Sequence, residues 1–104
     1  MERVIVEEVE KFEGERYVRP LLFKGERTTA LLLCLKPGQS VPSHRHEGFE
    51  VVLQPLRGEA EAVIDGEPTT LRAGEVFFVD GANDFAPVNK GGSNFSMLIT
   101  LVRR

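Results

Sequence analysis

Hydrophobic and polar residues alternate in short segments along most of the chain, the pattern of half-buried β-strands. Residues 59–64 alternate with a period of two, and Asp65-Gly66 follows as a hairpin turn because both residues tolerate positive φ. Similar segments recur at roughly ten-residue spacing, with turn residues between them. They predict strands at 17–23, 28–35, 49–53, 68–71, 76–79, 85–88 and 95–102. No segment has the caps and period of a helix, so the pattern predicts an all-β sandwich or barrel.

The run from Thr28 to Leu35 is apolar at nearly every position. Its length suits a buried strand or helix, and the two threonines at its start and Pro37-Gly38 after it favour a strand. Apolar residues on both faces predict that one side packs into the core and the other against another sheet or a subunit. We therefore expect a homodimer, and we expect Cys34 to be a small buried hydrophobe within this strand.

The first sixteen residues are acidic, with valines interspersed at positions 4, 6 and 9. This spacing predicts a short edge strand at about 3–9. An arm that exchanges with a neighbouring subunit is the alternative, and residues 10–16 also suit a solvated charged end.

Composition narrows the class of protein. A chain of 104 residues with 41% hydrophobic residues is long enough for one domain with a core. Its net charge of −3 provides no basic surface for nucleic acid, and its single cysteine excludes an internal disulfide. No segment approaches the roughly 18 continuous apolar residues of a membrane span, and the acidic N-terminus does not resemble a signal region. We expect a cytoplasmic protein.

Both histidines of the chain lie in residues 38–50 and are separated by one residue. In a strand, His44 and His46 would project to the same side. Neutral imidazoles together with a carboxylate suit a divalent transition metal such as Zn, Fe, Ni, Mn or Cu. Glu50 would complete a two-histidine, one-carboxylate set with positions open for water or substrate. Glu47, one step from the pair, would face the other way, and the competing interpretation is a histidine pair on the barrel rim without a metal.

The spacing of this segment resembles the first motif of the cupin superfamily: Gly, five residues, His-x-His, three residues, Glu, about six residues, Gly. The residues in place are Gly38, His44, His46 and Glu50. The closing glycine, Gly58, comes one residue later than the usual spacing. We expect a bulge or a longer turn near Pro55, because proline cannot donate a ladder hydrogen bond.

Residues 74–89 are similar to the second cupin motif but depart from it at several positions. Gly74 and Asn89 match, whereas Asp80, Ala82 and Phe85 replace the proline, the glycine and the histidine of the motif. In the family this histidine is usually a third imidazole ligand, and phenylalanine cannot ligate a metal. Asn89 is expected to be structural.

The resemblance covers roughly residues 28–102 and implies a cupin-type jelly roll, a double-stranded β-helix barrel. It implies that His44, His46 and Glu50 bind one divalent transition metal per chain, and the alternative for Glu50 is a free base or a salt-bridge partner. Gln54, which alternates onto the face of Glu50, and Phe85, which would narrow the barrel, are expected to line a substrate pocket.

Water or another side chain must fill the metal position that Phe85 leaves. Asp84 is adjacent to Phe85, and Gln54 is expected to share the face of Glu50. Either is a candidate donor, and ordinary turn chemistry is the alternative for Asp84.

Three functions remain open. One is a metal-dependent enzyme, an oxygenase, isomerase or lyase of the cupin type, acting on a small organic molecule. The second is a non-catalytic small-ligand-binding or sensing module, which Phe85 favours because an apolar barrel mouth suits ligand binding. The third is a metal-free protein that works through its dimer surface. The fold alone does not select among them.

Overall fold

The computed structural model describes residues 1–104 and consists of seven strands and one helical turn. The strands are β1 (Leu21–Lys24), β2 (Thr28–Leu35), β3 (Phe49–Arg57), β4 (Glu59–Ile64), β5 (Glu67–Arg72), β6 (Phe77–Asp80) and β7 (Phe95–Arg103), and the helical turn is α1 (Val6–Val9). The predicted all-β class is confirmed, and so are the bounds of β2 and β4. No helix has the length and apolarity to cross a bilayer.

Five strands form the larger antiparallel sheet, in the order β1-β2-β7-β3-β6, and β4 pairs with β5. Beside β4, Glu61 exchanges two backbone hydrogen bonds with Val88, at 2.9 and 2.8 Å. Val88 also forms a bridge with Ser40, and Phe85 forms one with His44. The strand predicted at 85–88 is therefore a series of isolated bridges, which joins the β4–β5 hairpin to residues 40–44 in a second layer.

The core lies between the two layers and is built from the side chains that alternate inwards. β4 shows this most clearly, because Ala60 and Ala62 are buried whereas Glu59 and Glu61 are exposed. The buried core side chains are Leu33, Leu35, Val41, Val51, Leu53, Ala60, Ala62, Leu71, Val79, Phe95, Met97, Ile99 and Leu101.

The N-terminal residues cover part of the outer face of β2. Leu32 and Cys34 alternate with the core residues of this strand, yet they are 0% and 1% exposed. The backbone of Lys11 hydrogen-bonds the Cys34 thiol, and the Glu10 carboxylate lies 3.0 Å from the Arg57 guanidinium. The apolar outer side of β2 is thus covered here by the chain itself. Cys34 is buried, as predicted, and burial raises the pKa of its thiol.

The edge strand predicted at 3–9 is wrong, because the chain forms the helical turn α1 at this point. Val6 and Val9 are three residues apart, a spacing that places both on one side of a helical turn. The subunit-exchange arm remains a prediction.

Two local predictions are confirmed at turns. The β3–β7 register shifts between Pro55 and Arg57, where a bulge was expected. Asp65 and Gly66 adopt φ of 52° and 79°, the left-handed pair of a type I′ hairpin. Gly58 follows the bulge with φ 72°, and a Cβ there would overlap the carbonyl oxygen of Asn94.

Candidate metal and ligand site

Backbone hydrogen bonds hold the two histidines against the loop that follows β6. His44 N–H donates to the Phe85 carbonyl at 3.2 Å, and Phe85 N–H donates back to the His44 carbonyl at 2.9 Å. His46 N–H donates to the Gly81 carbonyl at 2.7 Å. Because both histidines are tied to one neighbouring segment, their rings are presented together.

The imidazole rings of His44 and His46 have centroids 4.9 Å apart at an interplanar angle of 89°. His44 Nδ1 lies 3.0 Å from the Pro42 carbonyl oxygen, so the tautomer that donates this bond leaves Nε2 with a free lone pair. Burial, followed by the charges of His44 and Arg19, lowers the pKa of His46. A neutral His46 imidazole and an oriented His44 imidazole are the forms that bind metals.

Both histidines line a cavity between the two layers of the barrel. Its volume is about 30 Å³. This space admits water, whereas an organic ligand needs side-chain movement or must extend to the rim. Its apolar walls include Leu31, Leu33, Val41, Val51, Leu53, Ile64, Val79, Phe85, Pro87 and Ile99.

Glu50 and Gln54 do not line this cavity, which corrects both site predictions. Side chains alternate along β3, and Val51 and Leu53 are the residues that face the cavity. Glu50 and Gln54 therefore lie on the outer face of the sheet. The physical reason is the turn before β3: Gly48 has φ 85°, so the alternation that relates His44 to His46 does not continue into the strand.

Val51 takes the position expected for the motif glutamate. Six residues separate Val51 from Gly58, which is the motif spacing between the glutamate and the closing glycine, and this is the sequence signal for the shift. A valine provides no donor atom. Accordingly, no three His, Cys, Asp or Glu side chains in the structure are grouped to hold a metal ion.

Phe85 lines the cavity as predicted, with its ring centroid 6.2 Å from that of His44. The neighbouring Asp84 also lines it, but Asp84 Oδ1 accepts a hydrogen bond from Arg45 Nε at 2.6 Å. The Arg45 guanidinium lowers the pKa of Asp84 accordingly. Since this carboxylate is already paired and Gln54 faces outwards, neither of the two expected donors fills the position that Phe85 leaves.

Two further residues of the site escaped sequence analysis. Gly81 lies so close to the histidine segment that a Cβ would overlap the His46 carbonyl oxygen and lie 2.7 Å from that of Phe49. Arg19 lines the cavity from the segment before β1, far from either motif in sequence. No local pattern predicts such an approach, because it depends on strand packing.

A barrel of two facing antiparallel layers, with a histidine pair over an internal cavity, defines a cupin-type protein. Residues 31–101 match the family model of the cupin domain. The chain therefore belongs to the cupin domain family, as its first motif implied.

Three comparisons illustrate the similarity. The Thermotoga maritima protein named oxalate-binding protein is 31% identical over 68 residues, which cover 65% of this chain and 56% of that protein, little more than half its length. The crystal structure of TT1209 from Thermus thermophilus has a TM-score of 0.91 at 26% identity, covering 100% of this chain and 99% of that one. A Klebsiella pneumoniae protein with a double-stranded β-helix domain has a TM-score of 0.88 at 20% identity, covering 97% and 89%, and shows the shared fold.

Proposed function

We propose that this protein is a small metal-binding cupin in which His44 and His46 hold one divalent transition metal per chain next to a small-molecule site. The observation that carries the proposal is the pair of rings, 4.9 Å apart over one cavity. The Pro42 carbonyl orients His44, as a backbone acceptor does for many metal-binding histidines. Imidazole ligands suit Zn, Cu, Fe and Ni.

The residues around the pair determine what the site can do. Two imidazoles occupy only part of a transition-metal coordination sphere, so several positions remain for solvent or a ligand. Phe85 and Val51 supply no donors and make the inner side apolar. A bound metal would supply Lewis-acid or redox chemistry at this point.

Metal content tests the proposal. Protein purified without chelator is expected to contain about one divalent transition metal per chain, and His44→Ala and His46→Ala are each expected to lose it, because either substitution leaves a single imidazole. Elemental analysis by mass spectrometry measures this. Glu50→Ala is the matched control and should retain the metal, because Glu50 faces away from the cavity. Substoichiometric metal that neither histidine substitution lowers would refute the site.

A non-catalytic ligand-binding module is the second candidate, and the mostly apolar walls of the cavity, which include Phe85, favour it. One relative bears the name oxalate-binding protein. The enzymatic candidates are an oxygenase, an isomerase or a lyase. An oxygen-consumption assay and a metabolite-library screen of the metal-loaded protein distinguish the binding module from the enzyme, since turnover of any compound would identify the protein as an enzyme.

We also propose a homodimer, through the outer face of the larger sheet. In the register of β7, β3 and β6, Thr100, Val52 and Phe78 lie side by side on this face. The Phe78 side chain is 68% exposed, so the row presents an apolar surface. The outer side of β2, on which the sequence-based expectation of a dimer depended, is covered near Cys34 by residues of the N-terminal segment. The exposed row on β7, β3 and β6 is therefore the surface that we propose for the dimer.

Light scattering at micromolar concentration is expected to give the dimer mass. Phe78→Glu is expected to give the monomer, because it places a charge in the apolar row. Val63→Glu changes another exposed apolar residue, 55% exposed on β4, and should leave the mass unchanged. A monomeric wild-type protein contradicts the dimer.

A further inference from the structure

Arg19 is positioned at the cavity by strand pairing rather than by either motif. Val18 exchanges backbone hydrogen bonds with Cys34 at 3.1 and 2.8 Å, and Leu32 N–H donates to the Pro20 carbonyl at 3.0 Å. These bonds fix the backbone on both sides of Arg19. Val18 lies opposite Cys34, so Arg19 alternates to the inner side and lines the cavity with His46.

The other charged residues that line the cavity are already paired. Asp80 Oδ2 lies 3.1 Å from an Arg104 guanidinium nitrogen, and Asp80 Oδ1 accepts the Ala82 N–H at 2.9 Å. Asp84 lies 2.6 Å from Arg45. Arg19 belongs to none of the salt bridges of the protein. The cavity rim therefore carries one uncompensated positive charge.

We propose that Arg19 is the anion anchor of this cavity, and that the ligand is a small organic acid whose carboxylate binds the Arg19 guanidinium while the rest of the molecule reaches towards the histidine pair. This inference rests on the proposed function, because it names the class of small molecule that the site takes. It adds a specificity-determining residue to the two metal ligands.

The chemistry of the rim favours a carboxylate over a phosphate. A guanidinium presents two parallel N–H donors that match the two oxygens of a carboxylate. A phosphate monoester carries about −1.5 to −2 charge at neutral pH and would meet one unpaired cation beside two aspartates. The apolar walls likewise suit an acid with few further polar groups, which would extend along the rim because the interior of about 30 Å³ admits only water.

Calorimetric titration of the zinc-loaded full chain with oxalate and malonate tests the inference, with malonamide as the uncharged counterpart of malonate. The wild-type protein is expected to bind the two acids and to prefer malonate to malonamide. Arg19→Gln should weaken acid binding by roughly tenfold to a hundredfold, because a charge-assisted pair is lost. Arg19→Lys should bind the acids with intermediate affinity, because lysine keeps the positive charge but lacks the two parallel N–H donors of the guanidinium.

Arg16→Gln is the matched control, since Arg16 is an exposed arginine of the same segment that does not line the cavity. It should bind both acids as the wild-type protein does. Equal acid affinity of Arg19→Gln and wild type overturns the anchor, as does a wild-type protein that binds neither acid or does not prefer malonate to malonamide.

Zinc content measured on the same samples keeps the two proposals apart. If the protein is fully occupied by zinc and the Arg19 substitutions do not change acid binding, the proposed anchor is refuted and the proposed metal site is supported. If the protein holds no zinc but still binds the acids in a way that depends on Arg19, the anchor is supported and the proposed metal site is refuted.

Discussion

Phe85→His is expected to raise the zinc affinity of the protein roughly 100-fold, because it adds a third imidazole to the pair. Structural zinc sites with four ligands bind with about 10–16 kcal/mol, or roughly 3 kcal/mol per ligand, which corresponds to about two orders of magnitude. Position 85 is suited to the addition. It pairs directly with His44 across the backbone bridge, and its ring centroid lies 6.2 Å from that of His44.

Competition with a chromophoric chelator measures the change. Phe85→Leu is the control, because it also removes the aromatic ring but adds no donor atom, and its zinc affinity should stay at the wild-type level. A similar gain in both variants would assign the effect to loss of the ring rather than to a third ligand. No gain in Phe85→His would show that residue 85 cannot reach the metal held by His44 and His46.

Asn89→Ala is expected to lower the free energy of unfolding by about 3–5 kcal/mol, because one buried and two partly buried backbone groups lose their partner, at roughly 1–3 kcal/mol for the buried group and about 1 kcal/mol for each of the others. Asn89 is 0% exposed. Its Nδ2 donates to the carbonyls of Leu35 and Ser93, at 3.0 and 2.8 Å, and its Oδ1 accepts the Gly91 N–H at 3.0 Å. One amide thus joins the end of β2 to the turn before β7.

Urea denaturation followed by circular dichroism measures this loss. Typical domains have only about 5–15 kcal/mol of stability, so a large part of the Asn89→Ala protein should be unfolded at moderate urea. Asn94→Ala is the matched control, as Asn94 belongs to the same connection but is only half-buried, and it should change stability by less than about 1 kcal/mol. A loss that small in Asn89→Ala would mean that water replaces the amide without cost.

The strands that sequence analysis located best are those bounded by strong local signals. β2 begins with a threonine pair and ends just before Pro37-Gly38, and β4 ends at Asp65-Gly66, whose positive φ values define the hairpin. The bulge at Pro55 is also a local feature, because proline has no N–H to donate to the ladder of this central strand. Such features depend on a few neighbouring residues.

The errors lie where a segment depends on distant partners. The valines at 4, 6 and 9 suit either a strand or a helical turn, and no strand pairs with this segment. Residues 85–88 have a strand-like composition, but their partners are short and irregular, so only isolated bridges form.

The sequence by itself determined the succession of most strands along the chain, the hairpin and the bulge. It also placed His44 and His46 one residue apart. Only the tertiary structure decided which side chains face the cavity. The turn at Gly48 reverses the phase of β3 relative to the histidines, so Val51 faces inwards and Glu50 outwards. Strand pairing brings Arg19 to the same cavity from outside both motifs. Which side of a strand faces the cavity depends on the layer that packs against it. Residue spacing before a turn does not determine which side that is after the turn.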